Sequence, residues 1–162
     1  MIPVDAARLR ASLVNASRKN ASDMPVPDLA TIDFDALDFL GWRDARSPRR
    51  GYIAVPVDGE LVAAILVQTE ASARTRAQCS LCQDVTLPNE VVFFGAKRAG
   101  AAGRKGDTVG ILACANFECS KNVRRLPTMA YIGFDVEAER QRRIATLRER
   151  VAGFARAIRD GA

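Results

Sequence analysis

Two tight cysteine pairs, Cys79-x-x-Cys82 and Cys114-x4-Cys119, stand in a chain that has no histidine. Zinc takes four thiolate or imidazole ligands set tetrahedrally, at about 2.3 Å for sulfur. With imidazole absent, a site of that kind uses all four cysteines. Each pair brings two sulfurs to one metal through a short turn, and the 31 residues between Cys82 and Cys114 leave room for a hairpin. Four protein ligands leave no position open to substrate, so the expected zinc, one per chain, is structural. Two other readings are weaker. A redox dithiol belongs at a helix start near a βαβ unit, whereas Gln78-Cys79-Ser80-Leu81-Cys82-Gln83 runs through turn-forming residues toward a strand. Disulfides need an oxidising compartment, and Met1-Ile2-Pro3-Val4-Asp5 opens no apolar signal segment, so a soluble cytoplasmic protein is expected.

The lack of histidine also removes Ser-His and Cys-His nucleophile pairs and the usual proton shuttle near neutral pH. No carboxylates form a recognisable acid/base pair. The basic, glycine-rich stretch from Gly95 to Asp107 lacks the Gly-x4-Gly-Lys-Ser/Thr arrangement of a phosphate loop. The expectation is a binding protein, not an enzyme, with no small-molecule substrate. Its net charge of +5, from 24 Lys and Arg against 19 Asp and Glu, suits a partner bearing phosphate or carboxylate. No apolar run approaches the ~20 residues that span a bilayer.

Strands and helices must position the cysteines. Residues 51–57 and 60–69 are rich in Tyr, Ile, Val and Leu and flank Asp58-Gly59, so a hairpin is predicted with both turn positions at positive φ. Strands at 91–96 and 108–114 lie between the cysteine pairs, joined by a basic tip read as flexible. Cys119 falls in the first turn of a short helix that Pro127 stops. Free N–H groups there can donate to thiolate sulfur, and Lys121 and Arg124 stand near enough in sequence to offset the site's formal charge of about −2.

Asp135 is the expected N-cap of a long helix over 136–158, with Gly161 just beyond its end. Val136, Ile144, Leu147, Val151, Phe154 and Ile158 form an apolar stripe that docks on the sheet. Arg142, Arg143, Arg148 and Arg150 read as a solvated face, with Glu139 and Arg143 as an i,i+4 pair. Upstream, residues 5–20 carry Leu9, Leu13 and Ala16 at helical spacing. A second short helix from Asp33 or Asp35 groups Phe34, Leu37 and Leu40 and ends at Gly41; residues 41–48 read as a loop with Trp42 as core anchor. The predicted fold class is α+β: antiparallel β-hairpins with a four-cysteine treble-clef zinc finger and a long C-terminal helix. Two parts are expected, a short helical N-terminal segment at 1–40 and a zinc-finger domain at 41–162.

A knuckle, a hairpin, and a last ligand pair running into a helix form the treble-clef layout. From residue 41 onward the chain resembles the C-terminal zinc-finger domain of elongation factor G-binding proteins, which include the fusidic-acid resistance proteins. The resemblance is carried by Leu40-Gly41-Trp42-Arg43-Asp44, Gly51-Tyr52-Ile53-Ala54-Val55-Pro56, Cys79-Ser80-Leu81-Cys82 and Val92-Phe93-Phe94-Gly95-Ala96. It continues through Cys114-Ala115-Asn116-Phe117-Glu118-Cys119-Ser120-Lys121-Asn122-Val123-Arg124 and covers about three quarters of the chain. It implies a protein that binds elongation factor G and promotes its release from the ribosome, without chemistry on the drug. It also implies Cys79, Cys82, Cys114 and Cys119 as the zinc ligands.

The expected contact surface comes from the residues themselves. Lys97, Arg98, Lys121, Arg124 and Arg125 surround the metal module, and Phe117 serves either as an apolar anchor or as packing beneath the zinc helix. The alternative function is zinc-stabilised RNA or ribosome binding, with rRNA as the contact. Arg104 and Lys105 then join those cations, and Phe93, Phe94 or Phe117 stacks on bases where exposed.

Overall fold

Period-two patterning in the middle of the chain produces one antiparallel meander of five strands, in the order β1-β2-β3-β4-β5. The strands are β1 (Leu40–Asp44), β2 (Ser47–Val57), β3 (Glu60–Gln68), β4 (Val91–Lys97) and β5 (Thr108–Cys114). They come from a computed structural model that describes residues 1–69, 77–84, 89–128 and 131–160. Asp58 and Gly59 make the β2–β3 turn at φ 52° and 84°, the left-handed values that a two-residue turn of this hand requires. Residues 51–55 are buried without interruption, because both faces of β2 are covered.

One face packs against α5 (Val136–Arg159). Ile144, Leu147, Val151, Phe154 and Ile158 all enter the core with Ile53, Val55, Leu66 and Phe94. The Asp135 carboxylate accepts from the Glu137 and Ala138 N–H groups at 3.0 and 2.9 Å, capping the helix as its sequence requires. At the other end of α5 the Arg98 guanidinium donates to the Ala157 carbonyl at 2.6 Å and the Ala99 N–H to that of Ile158 at 2.7 Å. Gly161 lies outside the described residues.

The N-terminal residues cover part of the opposite face. They form not one helix but α1 (Ala6–Ala11) and α2 (Arg18–Ser22). Between them the backbone of Ser12 and Val14 bonds to Ala63 on β3, and tertiary pairing overrides helical spacing. Leu9 and Met24 close over Leu40, Trp42, Tyr52, Ala54 and Ala63. Trp42 is the expected anchor: it stacks on Tyr52 at 5.2 Å, and its indole N–H donates to the Pro25 carbonyl at 2.8 Å.

Two readings near residue 40 are corrected. Phe34–Ala36 is a single 3-10 turn, so Phe34, Leu37 and Leu40 share no helix face. The expected loop at 41–48 instead contains β1, in which Leu40, Trp42 and Asp44 alternate inward, and the start of β2. Gly41 is therefore a strand residue, and its missing side chain has another use.

Candidate metal centre

The first cysteine pair sits on a tight turn, in which the Gln83 N–H donates to the Cys79 carbonyl at 2.9 Å while Gln83 itself takes φ 53°. The Ser80 N–H ties this knuckle to the Leu112 carbonyl of β5 at 2.8 Å. The second pair begins at the last residue of β5, passes through Phe117 at φ 60°, and ends on the first residue of α4 (Cys119–Arg124). All four thiols are free and buried, and their sulfurs lie within 4.8 Å of one another. Cys79 and Cys119 are 3.6 Å apart at Sγ, and Cys82 and Cys114 are 3.7 Å apart.

Those separations decide the chemistry. A disulfide needs about 2.05 Å between sulfurs. A tetrahedron with metal–sulfur bonds of about 2.3 Å has edges of about 3.8 Å, close to what is seen. Four thiols this close cannot all ionise unaided. Hydrogen bonds from Cys114 and Cys119 push the Cys79 thiol far down, hydrogen bonds with Cys114, Cys79 and Cys82 push Cys119 far up, and Cys114, which Cys119 alone would lower, is pushed up by Cys79 and Cys82. A dication supplies the missing charge. The four cysteines hold one structural zinc, which closes the knuckle, β5 and α4 into one unit.

The groups that support the sulfurs differ from those expected. The Asn122 side chain donates toward Cys114 and Cys82 at 3.5 and 3.6 Å, and that of Asn89 toward Cys114 at 3.9 Å. Lys121 points into solvent, and Arg124 turns to Asp38. Among the described residues, neutral amide donors, not ammonium or guanidinium groups, therefore line the thiolates. Asn122 was legible: three residues after Cys119, it shares that cysteine's side of a helix.

Phe117 takes the packing role. It is 7% exposed and stacks on Phe94 at 5.1 Å. A Cβ on Gly41 would meet it at 2.5 Å and one on Gly51 at 2.8 Å, so these glycines form the hollow that receives the ring. Phe117 thus pins the metal centre to the sheet, and an enclosed ring of this kind makes no surface anchor.

The six residues named for a contact surface separate into groups. Lys97 ends β4, and Arg98 follows it toward the C-terminal end of α5. Lys121, Arg124 and Arg125 belong to α4 and its end, where Arg143 donates to the Asn122 and Arg125 carbonyls at 3.4 and 3.5 Å. Ala157 and Arg143 are 14 residues apart on α5, about 20 Å at about 1.5 Å per residue. The basic tip is not the loose loop expected. Gly100–Arg104 forms α3, with Gly100 and Gly106 at φ 64° and 99° and Gly103 so close to the Arg98 carbonyl that a Cβ would sit 1.7 Å from it.

The arginines of α5 are also more than a solvated face. Arg143 pairs with Asp84 at 3.2 Å, and Arg148 reaches Asp38 at 2.8 Å. Glu139 pairs with Arg142 rather than Arg143. Asp38, unremarked in the sequence, is the hub: its N–H donates to the Ser120 hydroxyl at 3.0 Å and its carboxylate accepts from Arg124 and Arg148.

The family described as FBP C-terminal treble-clef zinc-finger matches residues 8–158. The chain belongs to that family. The match includes most of the segment before residue 40, whose buried side chains line the sheet opposite α5. No curated protein sequence matches the chain. Among solved structures, the fusidic acid resistance protein FusC is similar at a TM-score of 0.48 and 22% identity, over 61% of this chain. The chain spans 45% of that structure. Among the described residues no helix is long and apolar enough to cross a membrane.

Proposed function

We propose that this treble-clef protein is a non-catalytic module that binds elongation factor G and promotes its departure from the ribosome. The observation that carries the reading is the closed metal centre: four buried thiolates leave zinc no position for a substrate, so the module acts through its outer surface. Membership of the treble-clef family and the residue-level resemblance to elongation factor G-binding proteins support the choice of partner.

The surface in question is the exposed edge of α4 with the described residues 125–128 and 131–132 that follow it. Lys121 and Arg125 are exposed there, followed by Leu126 at 64%, Tyr131 at 66% and Ile132 at 99% exposure. Ile132 stands at the apex of a turn closed by the Phe134 N–H and the Tyr131 carbonyl, with Gly133 at φ 88°. Exposed apolar side chains that follow two exposed cations in sequence suit a protein partner with an acidic or mixed face; the apolar groups supply affinity and the charges speed encounter. Tighter binding to one conformation of the factor shifts it toward release.

Binding of zinc-loaded protein to purified elongation factor G, followed by stopped-flow fluorescence, tests this. Lys121→Ala/Arg125→Ala should slow association at low salt, and Ile132→Ser/Tyr131→Ser should speed dissociation. A native protein that ignores the factor, or variants that bind with native rates, would refute the assignment.

A further inference from the structure

β1 covers only part of β2. Its first residue, Leu40, pairs with Ala54, and two residues earlier the chain has already turned toward α4, where the Asp38 N–H donates to the Ser120 hydroxyl at 3.0 Å. Among the described strands, residues 55–57 of β2 therefore have no neighbour on that side. Pro56 stands in this open edge and has no N–H to offer a further strand.

A cavity of about 200 Å³ opens at this corner. The buried Val55 and Val151 form its floor, the half-buried Met1 and Leu37 its walls, and the exposed Pro56 and Arg148 its rim. Cofactors and drug-sized ligands take roughly 300–1,000 Å³, so a space of this size suits a single aliphatic side chain.

Charge decides what accompanies that side chain. Asp38 is the one carboxylate among the described lining residues, and Arg124 and Arg148 already hold it. Arg148 does so through Nε at 2.8 Å, while 63% of its side chain stays exposed. Its two terminal amino groups have no partner among the described residues. A guanidinium edge of this kind offers paired donors that a carboxylate accepts.

The cavity is also continuous with the α4 surface. Asp38 joins Arg148 to Arg124 of α4, and Arg148 lies five residues beyond Arg143, which reaches the Arg125 carbonyl. Five residues of helix span about 7.5 Å. Resting on the assignment of elongation factor G as partner, we infer that this cavity is a socket for one aliphatic side chain of that partner, set beside an Asp or Glu that pairs with the terminal groups of Arg148.

The test is the affinity of zinc-loaded full-length variants for elongation factor G, with zinc content and melting temperature recorded for each. Val151→Ile keeps the β-branched shape and adds one carbon at the floor. It should leave the melting temperature native or raise it, and weaken binding about tenfold, as for one methylene in an apolar pocket. Pro56→Trp places a large side chain at the rim, in a strand that favours aromatics, and should weaken binding at least tenfold. Arg148→Lys keeps the charge but not the paired donors, and should cost about fivefold, as for one lost hydrogen bond. Native affinity in both Val151→Ile and Pro56→Trp, with the factor still bound by native protein, overturns the socket alone. A lowered melting temperature in Val151→Ile also overturns it, because an open cavity has room for the added carbon. Failure of native protein to bind the factor overturns the choice of partner, and the socket with it.

Discussion

Asp38, whose side chain is 0% exposed, receives the Arg124 guanidinium at 2.5 Å across 86 residues of sequence. One carboxylate thereby ties the entry to β1 to the helix that carries the last zinc ligand. Arg148 joins it to α5 as well. Burial alone would raise the Asp38 carboxyl, but hydrogen bonds from Arg124 and Arg148 outweigh it and hold the pKa below 3.8. Asp38 therefore stabilises the fold above the unfolded carboxylate range of about 4, and this is lost as pH falls through its lower folded value.

Asp38→Asn should cost about 2 kcal/mol at pH 7, less than the roughly 3–5 for breaking a fully buried pair, because both arginines retain access to water. The difference from native, measured by urea unfolding, should shrink as the pH drops below about 4. Zinc content followed in parallel separates this loss from acid release of the metal.

Removing zinc should unfold the knuckle, β5 end and α4 together, since structural zinc contributes on the order of 10–16 kcal/mol in small fingers. Metal analysis should find one zinc per chain, and any of Cys79, Cys82, Cys114 or Cys119 changed to alanine should abolish it. Affinity should fall with pH, because protons compete with metal for the thiolates.

Asn122→Leu keeps the helix and removes the amide that faces Cys82 and Cys114. Loss of a group that supports metal ligands typically costs about 10–100-fold in affinity. Competition with a zinc chelator should show that range while the secondary structure of the zinc-saturated protein stays native.

Phe117→Ala should destabilise by about 3–5 kcal/mol, as for other buried aromatics. Gly41→Ala should lower the melting temperature too, because its Cβ would fall 2.5 Å from Phe117. Both variants should still bind zinc once folded, which distinguishes packing from ligation.

The metal centre was the most legible part of the chain: with no histidine, only four thiols were available and their spacing named the layout. The Asp58-Gly59 turn and the stripe from Ile144 to Ile158 were equally plain, since each follows from local periodicity. What could not be read depended on distant pairs. Leu13 continues a helical pattern, yet Ala63 captures the neighbouring backbone. Gly41 resembles a helix stop until Phe117, 76 positions later, is seen to need the space. Arg124 and Arg148 look like surface charge until Asp38 is placed beneath them. The sequence allows Phe117 either role, anchor or packing, and the hollow of two glycines gives it the second.

The most direct measurement is the departure of labelled elongation factor G from ribosomes after GTP hydrolysis, with and without the zinc-loaded protein. Release should accelerate with protein concentration and saturate, Lys121→Ala/Arg125→Ala should need more protein for the same rate, and chelation should abolish the effect. A release rate unchanged at saturating protein would contradict the proposed function.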